Sequence, residues 1–128
     1  MSEETAATEG QERVLNDVII LGGGPAGFAA GIYAGRGRLK TLVLDAMGGG
    51  GQLNTIDIIE NYPGQLEASN GPDLADKMRQ QMEKFGVPVT FDQAETIKVD
   101  EESKVISVQG AYGKYCGRTL IIATGARH

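Results

Sequence analysis

Asp17 to Gly35 reads DVIILGGGPAGFAAGIYAG, and it restricts the folds open to this chain more than any other stretch. A β-branched apolar run, Val18 to Leu21, stops at three glycines, and small and apolar residues follow at once. That order predicts a strand, a tight turn and a closely packed helix. Gly22, Gly24 and Gly27 stand in GxGxxG spacing. In such a turn the first glycine permits the sharp reversal, the second lets a pyrophosphate approach the backbone, and the third lets helix and strand pack closely. Pro25 suits the first turn of the helix, where its missing N–H would have had no partner. The helix N-terminus offers free N–H groups and a positive dipole end to an anion.

The next apolar run, KTLVLDA from Lys40 to Ala46, has the uniform character of a parallel strand covered on both faces. Together the segments predict a βαβ unit with a right-handed crossover. Asp45 closes the second strand about 20 residues beyond the glycine turn, where an acid accepts hydrogen bonds from ribose hydroxyls and repels a 2′-phosphate. NADP is therefore disfavoured at this site. NAD and FAD share an ADP half, and the glycine spacing does not separate them.

A second glycine-rich stretch, GGGGQLNTIDIIENYPG from Gly48 to Gly64, accounts for part of an unusual total of 19 glycines in 128 residues. A linker would continue in small or charged residues. Here Gln52, Asn54, Thr55 and Asn61 alternate with Leu53, Ile56, Ile58 and Ile59, which suits a surface fitted to a ligand. Downstream, GPDLADKMRQQMEKFGV places Leu74, Met78, Met82 and Phe85 on one helical face, with Pro72 at its start and Gly86 as its stop. VPVTF, ETIKVD and KVISVQG read as strands, with a hairpin turn at the charged DEES, and RTLIIATGA reads as a buried strand ending in small residues.

The length suits one domain, expected over residues 14–128, after an acidic tail over residues 1–13 that lacks periodicity and is expected to be disordered. A net charge of -5 argues against nucleic acid as a partner, and Arg36, Arg38 and Lys40 read as a solvated helix end. No apolar run approaches the ~20 residues of a membrane helix, and the acidic start does not resemble a signal peptide, so a cytoplasmic protein is expected. Cys116 is the single cysteine, which excludes an internal disulfide and a CxxC pair; it reads as structural.

Four blocks taken together, DVIILGGGPAGFAAGIYAGR, GGQLNTIDIIENYPG, GPDLADKM and LIIATGA, resemble the N-terminal part of the low-molecular-weight thioredoxin reductases, FAD-dependent pyridine nucleotide–disulfide oxidoreductases. The likeness runs in order from about Asn16 to the last residues. It implies an α/β fold, a Rossmann-like parallel sheet with flanking helices and a small antiparallel β element, forming part of an FAD/NAD(P)-binding domain. It also implies that the first glycine turn binds FAD, with NADPH or NADH taken by a second domain. The implied cofactor contacts are Gly22, Gly24, Pro25, Ala26, Gly27, Asp45 and Ala46, then Gly50, Gly51, Gln52 and Leu53 passing along the FAD, with Gln52, Asn61 and, as a lesser contact, Thr55 toward its flavin half. Gln93 and Ala94 are implied beside the adenine, and Ala123, Thr124 and Gly125 where the chain meets the cofactor again.

No residue here is assigned a catalytic or metal-ligating role. In the family the redox CxxC lies in the NADPH domain, after the strand that matches LIIATGA, whereas Cys116 precedes that strand. The chain is expected to be the first portion of an FAD domain. The activity implied for the complete enzyme passes electrons from NAD(P)H through FAD to a disulfide, with thioredoxin or a similar disulfide protein as partner and a homodimer as the assembly. Two other readings stay open: a non-catalytic half domain that holds FAD or NAD, and a flavin reductase of the same architecture with a different electron donor.

Overall fold

The computed structural model describes residues 14–126, so the tail expected over residues 1–13 lies outside the described residues. Within them, β1 (Leu15–Leu21) leads into α1 (Pro25–Arg36) and then β2 (Thr41–Asp45), the unit that the glycine turn predicts. A 3-10 helix (Gly51–Thr55), α2 (Gly71–Lys84), β3 (Val89–Phe91), β4 (Ala94–Val99), β5 (Ile106–Gly110) and β6 (Lys114–Ile122) follow.

All six strands join one sheet in the order β3-β2-β1-β6-β5-β4. The pairs β1–β2, β2–β3 and β1–β6 are parallel, while β4–β5 and β5–β6 are antiparallel. Alternation along β1 divides the core. Val18 and Ile20 face α1 and α2 and pack with Val43, Phe28, Leu74 and Met82, whereas Ile19 and Leu21 face the other way toward Leu44, Val108 and Tyr115. Burying each large apolar side chain of this kind stabilises the fold by about 1.5–3 kcal/mol, and Ile19, Ile20 and Met82 are completely enclosed.

Helix α2 begins after Asn70, whose Oδ1 accepts a hydrogen bond from the Asp73 N–H at 2.8 Å. The predicted stripe holds at Leu74, Met78 and Met82, but Phe85 is the C-terminal cap and is 39% exposed, because the helix ends before that position completes another turn. Gly86 follows with φ +83°, the left-handed stop expected of it. At the predicted hairpin turn, Asp100 and Val105 close the loop with a backbone hydrogen bond of 3.0 Å.

Strand β6 differs from the sequence expectation. It starts at Lys114, four residues before RTLII, and serves two partners: residues 114–117 pair with β5, and Cys116 to Ile122 pair with β1. Gly117 stands where these pairings overlap, and a Cβ there would come within 2.8 Å of the Ile19 side chain. A glycine flanked by Cys116 and Arg118 obscured the strand in the sequence, yet it is what allows the crossing. The antiparallel element is thus continuous with the parallel sheet through β6.

Candidate functional site

The parallel strands β1, β2 and β6 all end on one side of the sheet, which gathers Gly22, Asp45–Ala46 and Ala123–Gly125 at a common edge. A cleft of about 350 Å³ opens there, lined by Leu21, Gly22 and Leu44, by Asp45 and Ala46 at the end of β2, and by Asp92, Gln93 and Ala94 after β3. Thr124 and Gly125 line it too. Seven of the sequence-predicted positions are therefore brought together. This is the crevice at the carboxyl ends of strands where open α/β sheets bind ligands.

The three glycines of the first turn have different surroundings. A Cβ at Gly22 would overlap the carbonyl of Ala123, and one at Gly27 would overlap the carbonyl of Gly22, so both are held small by neighbouring backbone. At Gly24 a Cβ would meet only the Gly51 Cα, at 3.9 Å. Among the described residues, no atom explains the absence of a side chain at that position. Pro25 and Ala26 are exposed in the first turn of α1, where helical geometry leaves N–H groups without intrahelical acceptors.

The second glycine stretch packs directly on the first. Gly48, Gly49, Gly50 and Gly51 have φ values of +79°, +112°, +102° and +56°, a left-handed run that L side chains adopt only at a cost. The run lets the chain double back, and the Gly50 N–H donates to the Gly23 carbonyl at 2.7 Å. Asp45 braces both turns: its carboxylate accepts from the N–H groups of Gly23 (3.1 Å), Met47 (3.2 Å) and Gly49 (2.6 Å). The acid expected to receive ribose hydroxyls therefore already holds three backbone donors.

Beyond the run, Gln52 is exposed and its amide donates to the Ala126 carbonyl at 3.3 Å, linking the 3-10 helix to the segment after β6. Leu53 is half-buried against the helix-side core, and its carbonyl occupies the space that a Cβ at Gly71 would need. Thr55 donates its hydroxyl back to the Gln52 carbonyl at 2.8 Å. Asn61 is exposed in the following loop and is not among the residues lining the cleft.

One residue of this edge escaped the sequence reading. Asp92, 1% exposed, is the only buried carboxylate among the described residues. Its oxygens accept from the N–H groups of Gln93 (2.7 Å), Tyr112 (3.2 Å) and Gly113 (3.1 Å) and from the Tyr115 hydroxyl (2.6 Å). Burial alone would raise its pKa, but the Tyr115 hydroxyl and the surrounding N–H groups outweigh that and hold it below the ordinary carboxylate value. Burial, together with the Asp92 charge, pushes the Tyr115 phenol upward. Nothing in the spacing of positions 92 and 115 announces the pair; the hairpin between them brings it about. Cys116, beside Tyr115 in β6, is a buried free thiol 3.8 Å from the Ser107 hydroxyl.

The family model described as pyridine nucleotide-disulphide oxidoreductase matches residues 16–128. A thioredoxin reductase of Peptoclostridium litorale is 40% identical over 110 residues, covering 86% of this chain and 34% of that protein. A glucosaminate ammonia-lyase of Pseudomonas fluorescens is 42% identical over 109 residues, covering 85% of this chain and 33% of its own length. Among solved structures, the thioredoxin reductase of Lactococcus lactis in its FR conformation superposes with a TM-score of 0.82 at 36% identity, over 88% of this chain and 36% of that one. The chain spans about a third of the length of the curated relatives it matches.

Proposed function

The chain belongs to the pyridine nucleotide-disulphide oxidoreductase family, and from that premise we propose that residues 14–128 form the first portion of the FAD-binding domain of a thioredoxin-disulfide reductase. The observation that carries this reading is the open space at Gly24. The other two glycines of the GxGxxG turn are kept small by protein atoms, whereas the position assigned to the pyrophosphate is bounded only by a second glycine backbone. The cleft beside it supports a dinucleotide as the ligand class, since it continues from that turn toward Gln93 and Ala94.

In this reading Gly22, Gly24, Pro25, Ala26 and Gly27 hold the pyrophosphate at the start of α1, with Asp45 and Ala46 beside the adenosine ribose. Because Asp45 already accepts three N–H groups, its contribution to the ribose uses its remaining lone pairs and, above all, the fixed shape it gives the two turns. Gln93 and Ala94 border the adenine; Gly50, Gly51, Gln52, Leu53, Thr55 and Asn61 border the flavin half; Ala123, Thr124 and Gly125 close the crevice from β6. When bound, FAD supplies the hydride and electron chemistry, and these residues bind and orient it.

The electron donor proposed for the whole protein is NADPH or NADH, bound outside these residues, and the acceptor is thioredoxin or a similar disulfide protein. A homodimer is the proposed assembly and the cytoplasm the proposed location; no described helix is long and apolar enough to cross a membrane. That relatives named for two different reactions match this region equally well supports reading it as a cofactor-holding segment, with the choice of reaction made elsewhere. A flavin-binding module without turnover is the same site in a different setting.

Titration of the purified chain with FAD, followed by flavin fluorescence, tests the assignment. Saturable binding by the wild type that is abolished in Gly24→Val, with an unchanged far-ultraviolet circular dichroism spectrum, is the expected result. Equal binding by both proteins would show that the turn is purely structural.

A further inference from the structure

A buried carboxylate is expensive to keep unless its oxygens are satisfied, and those of Asp92 accept from four donors. The position of Asp92 suggests what the charge is for. Its own N–H donates to the Asp45 carbonyl at 3.2 Å, which ties it to one wall of the cleft. Its side chain holds the lining residue Gln93 through the Gln93 N–H, and it grips the turn between β5 and β6 through Tyr112 and Gly113 and β6 itself through the Tyr115 hydroxyl. The neighbouring Gly110 has no room for a Cβ, which would overlap this carboxylate. Asp92 itself lines the cleft. The backbone of Asp92 thus joins it to Asp45, and its carboxylate joins Gln93 to the residues 112–115 that follow β5.

We propose that Asp92 is a positioning residue for the adenosine end of the bound dinucleotide, its carboxylate holding the Gln93–Ala94 border of the cleft in place against the turn between β5 and β6 and the start of β6. This rests on the reading that the cleft takes the ADP half of FAD. Asp92 makes no demand on the ligand itself. A carboxylate does what a neutral side chain of its size does not, because its two oxygens accept four donors at once while it offers none that would push a wall away.

The test uses ADP as the probe, titrated calorimetrically into the wild-type chain and into Asp92→Asn, Tyr115→Phe and Met82→Ala, each shown to be folded by circular dichroism. Met82 lies in the opposite core, away from the cleft, and controls for general loss of stability. Asp92→Asn is expected to weaken ADP binding by roughly tenfold, since an NH2 replaces the oxygen that accepts from Gly113 and Tyr115, and Tyr115→Phe by about threefold, since one donor hydroxyl is lost. Met82→Ala is expected to stay within about twofold of wild type while folded. Wild-type affinity in Asp92→Asn, or an equal loss in Met82→Ala, would overturn the inference. Should Asp92→Asn not fold, Tyr115→Phe decides: unchanged affinity overturns the proposal, and a loss confined to it and absent from Met82→Ala supports it. A wild-type chain that binds neither ADP nor FAD would remove the dinucleotide reading and this inference with it, whereas wild-type binding that is indifferent to Asp92 removes the inference alone.

Discussion

The turns at Gly22–Gly27 and Gly48–Gly51 touch, yet glycine answers a different demand in each. In the first turn the demand comes mainly from outside the residue: backbone atoms of Ala123 and Gly22 fill the space where side chains would go at Gly22 and Gly27, Gly22 also having φ +107°, while at Gly24 the space is open and φ is negative. In the second every residue carries an internal demand, since four successive residues take positive φ, and at Gly50 the Asn54 side chain adds an external one. A turn limited by its neighbours reveals a ligand wherever a neighbour is missing. One limited by its own dihedral angles does not, because its glycines would be needed with or without a ligand.

Four substitutions separate the two demands, each read by urea denaturation. Gly27→Ala should have the largest effect, about 3 kcal/mol or complete loss of folding, because its new methyl overlaps the Gly22 carbonyl and neither the helix nor the strand can retreat. Asp45→Ala should follow at about 2 kcal/mol, since three backbone donors lose their acceptor and both turns come loose together. Gly48→Ala, at φ +79° and with only the Phe91 ring near the added methyl at 3.5 Å, should cost about 1 kcal/mol, the strain of a left-handed L residue. Gly24→Ala should cost about 0.5 kcal/mol, the ordinary penalty of alanine at a helix N-cap, and still weaken FAD binding. If Gly24→Ala instead destabilises the fold as much as Gly27→Ala, the contrast within the first turn disappears.

Most of the first turn and its flanking elements was legible in the sequence because local patterns encode local structure. β-branched residues running into GxGxxG, a proline at the first helical position and an apolar second strand each specify their own conformation. The same holds for the α2 stop at Gly86 and the hairpin turn near Asp100. What escaped depends on residues that meet only after folding. Asn70 as a cap could have been found, since an asparagine directly before GPD is a recognised start signal. The early start of β6 could not, because Lys114, Gly117 and Arg118 read as a loop until two different partner strands are in place. Asp92 looks like a polar residue at a strand end; its role needs Tyr112, Gly113 and Tyr115 delivered by a distant hairpin. Asp45 was found as the acid at the end of β2, but its orientation toward three N–H groups follows from the path of the glycine run, which no spacing rule encodes.

The double allegiance of β6 also bears on how the molecule is made. β1 leaves the ribosome before the other described strands, and one of its edges waits for a strand nearly a hundred residues later: the Asn16 amide meets the Cys116 carbonyl, and Thr119 reaches back to the Asp17 carbonyl across 102 positions. Until Ile122 has emerged, Ile19 and Leu21 lack their cover and β1 presents an unpaired edge of the kind that recruits foreign strands. The helix-side core can form earlier, since α1, β2 and α2 are all translated well before β6. Synthesis therefore proceeds with one face of the sheet closed and the other open, and the vulnerable interval lasts as long as the ribosome takes to translate from β1 to the end of β6.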